Sequence, residues 1–591
     1  MRNKTIQSIS RRTISFTGLL LLLLIAISQL ACPELVGLIE EPKKEEETDT
    51  GAKAAASAQG ILHFSGIPSG TNPSPTLTNL QNADVFIIYT NLNTTQSYAI
   101  PNGAATPVQL SLQGGFSLQG QAVEPAPINQ VPDFITEFNN SKVTLIPGPS
   151  FNQQGGSFNG PISDPNANTV GVTTRTWRTS DGTAATTLRG SATMSNGKKV
   201  LVWVGNNDYS TNESTNQVMT PNRVNTVLTK FGTDAANIYD MTKKLYGEEW
   251  GAHNYNNLIS PTQNEIHIVY YDINNDGAWG VLGYFWAVNN ILNHSNGNNA
   301  LVFFMDSATM GAMEGGQWNL TLQGPGVMMT TLAHEFQHMI HFYEKQILKN
   351  TASPTWLNEL ASTASEDILA NYITGSNTGP LFGNGSRLAQ FAATPICNLT
   401  AWASSQDQNV DCNIFDSYAH VTSFGTFLSR HYSGNNFNFF KELVASTADS
   451  TTGLGQAIER AKGTTNPTTT QGNDAYAEAF VRWGASIVLN PAKRTVPDGY
   501  GYPAKRIANF FAPGRDLILD QANIWSFPTK PRIYSTPPAN IQPMSHIVVR
   551  HKSNITQASL DMNADITAFT NSAVLNTNST FYKTTILVQA H

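Results

Sequence analysis

Cysteine is nearly absent. Three residues in 591, Cys32, Cys397 and Cys412, are too few for a disulfide-knitted scaffold, and their spacing does not suit a zinc ribbon. Charge is scarce too: Lys, Arg, Asp and Glu make up 13% of the chain, with a net charge of −7. No basic stretch interleaved with aromatics occurs, which argues against a nucleic-acid partner. Walker loops, dinucleotide fingerprints and repeats of solenoid length are missing. So is an apolar run of about 20 residues; the longest, Phe16 to Ile27, is too short and too early for a membrane span.

That run, preceded by Arg2, Lys4, Arg11 and Arg12, reads as a secretory signal over residues 1–31. Ser28-Gln29-Leu30-Ala31-Cys32 resembles a bacterial lipobox, with Cys32 as the lipidated residue, although Gln29 stands where that pattern prefers Leu. Ordinary secretory cleavage with a free thiol is the alternative. Residues 32–59, acidic and then alanine-rich, suit a disordered tether. The expected location is therefore the bacterial cell envelope or surface, lipid-anchored, or the medium. In an oxidising compartment Cys397 and Cys412, fifteen positions apart, could form a disulfide; two buried thiols are the other reading.

What the chain does contain is His334-Glu335-Phe336-Gln337-His338 in an apolar, helix-like context. One helical turn separates the histidines by about 6 Å along the axis and about 40° around it, so both imidazoles can face one metal. Glu335, about 100° away, is badly placed to ligate but can deprotonate a water held there. A hydrolytic zinc site needs a third ligand, and the next helical segment, opening at Pro354, carries Glu359, with 20 residues intervening after His338. The metzincin pattern fails, because it requires Gly at 341 and His at 344 where this chain has His341 and Glu344. His341, about 10 Å from His334 along the axis, is expected to pack or to orient another group.

The block T-L-A-H-E-F-Q-H-M-I-H-F followed by T-W-L-N-E resembles the gluzincin metallopeptidases, most closely the hyicolysin-like peptidase family M30. The likeness runs over roughly residues 200–490 and includes an amphipathic helix at 238–247 and a strand at 265–272. One departure is Leu360 after Glu359, where many gluzincins have Gly. The resemblance implies zinc held by His334, His338 and Glu359, Glu335 as general base, and protein or peptide substrates. It also implies an oxyanion-stabilising side chain on a later helix, for which Tyr418 is the first candidate and His420 and His431 the others. Thr363 and Glu366, four and seven residues beyond Glu359, share its helical face and are candidates to orient a ligand imidazole.

The fold class expected is α+β, a gluzincin-type, thermolysin-like core with a β-rich amino-terminal domain and a small β-rich carboxy-terminal region. Residues 60–205 form that first domain or a propeptide, 206–495 the catalytic domain and 496–591 the last region. Strand 300–305 is expected as the edge that pairs with an extended substrate. Helices around 359–370, 418–431 and 475–488 would close the other side of the cleft. Asp272, Asn274, Asp276 and Gly277 match the first half of a calcium loop, but position twelve is Gly283 rather than Glu, so a tight acidic turn is the favoured reading over calcium. Against the zinc endopeptidase stands one other class, a surface adhesion or binding lipoprotein that keeps an inactive peptidase fold.

Overall fold

The structure, a computed structural model, describes residues 55–56, 61–65, 76–78, 82–100, 104–110, 131–148, 169–374, 387–402, 412–555, 559–561 and 582–590. The signal, Cys32 and all of the expected tether except Ala55–Ala56 lie outside the described residues. Those two alanines pair in parallel with Thr76–Leu77; main-chain bonds to an exposed strand edge need no side-chain core, so composition alone misjudged them. All described residues belong to one compact unit, Lys53–His591. No described helix is long and apolar enough to cross a membrane.

Elements in chain order are β1 (Ile61–Ser65), β2 (Ala83–Asn91), β3 (Val108–Gln109), α1 (Asp133–Asn140), β4 (Thr174–Thr179), β5 (Gly182–Thr193), β6 (Lys199–Gly205) and β7 (Glu265–Tyr271). Then come β8 (Gly283–Phe285), β9 (Leu301–Asp306), α2 (Gln323–His341), α3 (Thr355–Thr374), α4 (Arg387–Ala393), α5 (Ile414–His431) and α6 (Thr469–Ser486). The chain ends with β10 (Tyr534–Thr536), β11 (Ser545–Ile555) and β12 (Tyr582–Ala590). Shorter helices, among them Ile238–Tyr246, fill the intervals. The class is α+β.

One six-stranded sheet has the order β8-β9-β7-β6-β5-β4. β7 runs parallel to β6 and β9, and the other pairings are antiparallel. Its middle strands are apolar on both faces, as strands covered on both sides must be: Val200, Val202 and Val204 point into the helical core, Leu201 and Trp203 into a second core with Trp177 and Tyr284. The same pattern explains why the expected edge is wrong. Leu301–Asp306 is buried throughout and lies between β7 and β8; the short β8 is the edge.

A second sheet, β1-β12-β2-β11-β10-β3, joins strands from both ends of the chain. β2 is held between β12 and β11, antiparallel to each. The boundaries drawn at 205/206 and 495/496 therefore do not follow the sheets: β4 to β6 belong to the sheet that carries β8, and the two terminal β-rich stretches share one sheet. Main-chain ladders, which local composition does not reveal, decide this. Helix α6 packs on the second sheet at Gly484, where a Cβ would collide with the His546 ring, and Phe480 stacks on the same ring at 4.5 Å.

Two helices carry most of the site. Pro325 sits in the first turn of α2, where its missing N–H is not needed, and α2 passes directly into a wider turn, Phe342–Ile347. Pro354 accepts from Leu357 and Asn358 N–H at the start of α3. Helix α5 opens with a reciprocal cap between Asn413 and Asp416 and is tied to α3 by the buried Arg430–Asp367 pair, 2.6 Å apart.

Candidate active site

His334, Glu335 and His338 project from α2, and Asn358, Glu359 and Glu366 from α3. His334, His338 and Glu359 bring one ligand atom each within 4.8 Å of one another. Among the described residues this is the one group of three or more His, Cys, Asp or Glu side chains so placed. Glu359 Oε2 lies 3.2 Å from His334 Nε2, and Oε1 lies 3.5 Å from His338 Nε2.

The far ring nitrogens are fixed from behind. His334 Nδ1 is 2.7 Å from Glu366 Oε1, which also accepts from Arg387 Nη1 at 3.0 Å. His338 Nδ1 is 2.9 Å from Asn358 Oδ1. A carboxylate or carboxamide oxygen at Nδ1 selects the tautomer whose Nε2 lone pair is free, and the two Nε2 atoms converge, 3.0 Å apart.

Burial lowers the His334 pKa, but hydrogen bonds to Glu359 and Glu366 outweigh it and the net shift is upward. Burial drives His338 down despite Glu359. The carboxylates that raise His334 would equally favour a divalent cation between the two rings. Glu335 is raised to about 7, first by burial and then by Glu359, against the lowering influence of His334 and of the Phe285 N–H. That N–H donates to Glu335 Oε2 at 2.7 Å, leaving the other carboxylate oxygen for chemistry.

Tyr418, at the start of α5, lines the same cavity as His334, Glu335, His338 and Glu359. Its ring meets Trp402 edge-on at 5.0 Å and lies 5.4 Å from the Arg387 guanidinium. Burial, reinforced by Glu359 and Glu335, raises its pKa well above the ordinary phenol value, so the hydroxyl keeps its proton and remains a donor. The other two candidates are elsewhere. His420 bonds the Asp416 carbonyl at 2.7 Å and packs against Phe391 and Trp483; His431 bonds the Gly501 carbonyl at 3.0 Å.

Thr363 does not orient an imidazole. Its hydroxyl bonds back to the Glu359 carbonyl at 2.8 Å, the local bond that threonine prefers inside a helix. Glu366 does reach one. His341 is buried and meets Ser353 Oγ at 2.8 Å, tying the end of α2 to the start of α3. Asn358 and Arg387 were missed: Asn358 adjoins Glu359 and was a legible choice, whereas nothing local in the sequence singles out Arg387. Cys397 and Cys412 are bonded, with their Cα atoms 6.0 Å apart.

Where a tight acidic turn was expected, Ile273–Asn275 makes a short turn in which Asn274 and Asn275 adopt φ of 62° and 53°. Asp272 Oδ1 accepts from Gly277 N–H at 3.0 Å, a side-chain cap that holds the turn between β7 and β8.

The family model for peptidase M30 matches residues 180–558, a wider span than the 200–490 expected. The chain is also similar to neutral metalloprotease ShpI of Staphylococcus hyicus, 25% identical over 275 residues, which are 45% of this chain and 52% of that protein. The chain thus matches about half the length of this curated relative.

Proposed function

We propose, because this chain belongs to peptidase family M30, that it is a zinc-dependent endopeptidase with a gluzincin core, acting on proteins outside the cell. The observation that carries this reading is the convergence of His334 Nε2, His338 Nε2 and the Glu359 carboxylate, with both Nδ1 atoms already engaged. Two imidazoles and one carboxylate with an open fourth position are a donor set that zinc favours in hydrolases.

When bound there, zinc acts as a Lewis acid and lowers the pKa of a coordinated water towards about 7. Glu335, buried and held near the same pH, removes the proton from the attacking water and then delivers it to the leaving nitrogen. The Tyr418 hydroxyl donates to the oxyanion that develops on the substrate carbonyl. Glu366 and Asn358 hold the ligand rings in place. The edge strand β8 offers main-chain groups to an extended peptide, a mode that tolerates many sequences. Cys32 is the lipidated anchor residue, which would keep the enzyme at the envelope surface.

The test is hydrolysis of an unfolded protein by the full chain with zinc measured in the same samples. Glu335→Gln is expected to keep stoichiometric zinc and lose nearly all turnover, while His334→Ala loses both. Activity retained in the first variant overturns the assignment of the base.

A further inference from the structure

The cavity that contains the zinc ligands has a volume of about 20 Å³. That is room for about one water. Beyond residues of α2, α3 and α5 and Tyr284 and Phe285 of β8, its lining comes from one segment. Val131, Ile135, Thr136, Asn139 and Asn140, in and beside α1, line the cavity opposite the ligands.

The contacts of α1 have the form of a substrate's. Asn139 Nδ2 donates to the Phe285 carbonyl at 2.6 Å, and Asn139 Oδ1 accepts from Ala287 N–H at 2.8 Å. One carboxamide therefore takes the outward Phe285 carbonyl of the edge strand and the N–H of Ala287 two residues past it, an acceptor and a donor that an extended peptide could use. The next residue reaches the metal site itself: Asn358 Nδ2, on the side chain that bonds His338, donates to Asn140 Oδ1 at 2.9 Å. Ile135 is 1% exposed, in the core with Trp177, Tyr284 and Trp286.

Beyond α1 the chain stays on the surface of the catalytic half up to Gly148. Gln346, just past the end of α2, donates to the Asn139 carbonyl at 2.7 Å and accepts from Val143 N–H at 3.1 Å. Asn257 donates to the Thr144 carbonyl at 2.8 Å and accepts from Ile146 N–H at 3.0 Å. Every bond named here is between neutral groups, each modest in net strength, and Phe134 and Ile146 remain 46% and 47% exposed. A segment so fastened can leave without stranding a buried charge.

We propose that residues 131–148 are an autoinhibitory strap: α1 lies against the substrate cleft, the Asn139 carboxamide stands in for a substrate peptide group beside β8, and activity is held down until the strap is displaced or cut. This rests on the peptidase reading above. It also separates the strap from the rest of the amino-terminal region. β2 is a central strand of its sheet and β4 to β6 build the sheet behind the site, so excision of 60–205 as a propeptide would remove structural strands, whereas displacement of 131–148 would not.

The test uses the zinc-loaded full chain, Asn139→Leu, which keeps the volume and loses both bonds to the edge strand, and Gln346→Leu, which loosens the strap from the opposite side. A tripeptide hydroxamate is the cleft probe, and zinc affinity by chelator competition reports the integrity of the metal site. Both variants are expected to bind the hydroxamate about tenfold more tightly, about 1.4 kcal/mol, with zinc affinity unchanged within about twofold and kcat/KM on a short peptide raised by a similar factor. Unchanged hydroxamate affinity in variants that hold zinc normally overturns the strap. Tighter hydroxamate binding with no turnover in any form leaves the strap standing and overturns the peptidase reading instead.

Discussion

Removing the side chains that hold the two histidines from behind should weaken zinc binding unequally, and the structure sets the order. His338 is oriented by a neutral carboxamide, Asn358, at 2.9 Å. His334 is oriented by a carboxylate, Glu366, at 2.7 Å, itself bonded to Arg387. A neutral hydrogen bond contributes about 1 kcal/mol and one to a charged group about 1.5–3 kcal/mol. Asn358→Ala is therefore expected to raise the zinc dissociation constant about fivefold, and Glu366→Ala on the order of 10- to 100-fold, within the range usual for such partners. Glu366→Gln, which keeps an acceptor and loses the charge, should fall between them. The assay is competition for zinc with a chelator of known affinity at fixed pH and ionic strength, with thermal unfolding of the metal-free proteins alongside. Metal-free stability must change less than zinc affinity does. Equal losses in Asn358→Ala and Glu366→Ala, or none in the latter, would refute the claim that ring orientation through Nδ1 sets the affinity.

Three further outcomes are expected. Tyr418→Phe should lower kcat about 100-fold with KM within about threefold, since the hydroxyl serves the transition state rather than the bound substrate; a change confined to KM contradicts that. Replacing Cys397 and Cys412 together by Ser should cost about 3 kcal/mol in denaturant unfolding under the chain-entropy model for a 15-residue separation, and an unmoved midpoint would show that the bridge does not constrain the unfolded chain. Lys345, fully buried with its ammonium on the Leu443 and Ala448 carbonyls, has its pKa lowered from 10.5 to about 7 mainly by burial. The unfolded chain then binds the extra proton between about pH 7 and 10, so this group makes stability rise with pH across that window, by up to about 1.4 kcal/mol per unit. Lys345→Met should flatten the rise, as read from unfolding free energies at pH 6.5 to 9.5.

The elements that needed only a local pattern were legible. The expected strand at 265–272 overlaps Glu265–Tyr271, and the helices expected at 238–247, 359–370 and 418–431 fall on Ile238–Tyr246, α3 and α5. The convergence of His334, His338 and Glu359 also followed from one helical turn plus one acidic residue on the next helix. What a linear reading misjudged depends on the third dimension. The edge strand was misassigned although the signal was present: five consecutive apolar residues at 301–305 mark a central strand, whereas β8, with three residues of which one is glycine, is short enough to be an edge. Thr363 shares a helical face with Glu359 yet spends its hydroxyl on its own backbone, a choice that periodicity cannot see.

Pairings across the whole chain were further from reach. No local feature of Ala83–Asn91 says that it lies between strands some 460 and 500 residues later, so a region that reads as a removable amino-terminal domain holds part of the scaffold. The same limit hid the strap. An eight-residue helix flanked by polar sequence carries no catalytic motif, and its significance comes only from where it lies: its one fully buried residue, Ile135, fills the core behind the edge strand, and its two terminal asparagines meet that strand and Asn358. The motif is legible because metal ligation demands fixed residue types at fixed spacing. Latency demands only a shape that fills the cleft and two hydrogen-bonding groups at the right height, which many sequences can supply.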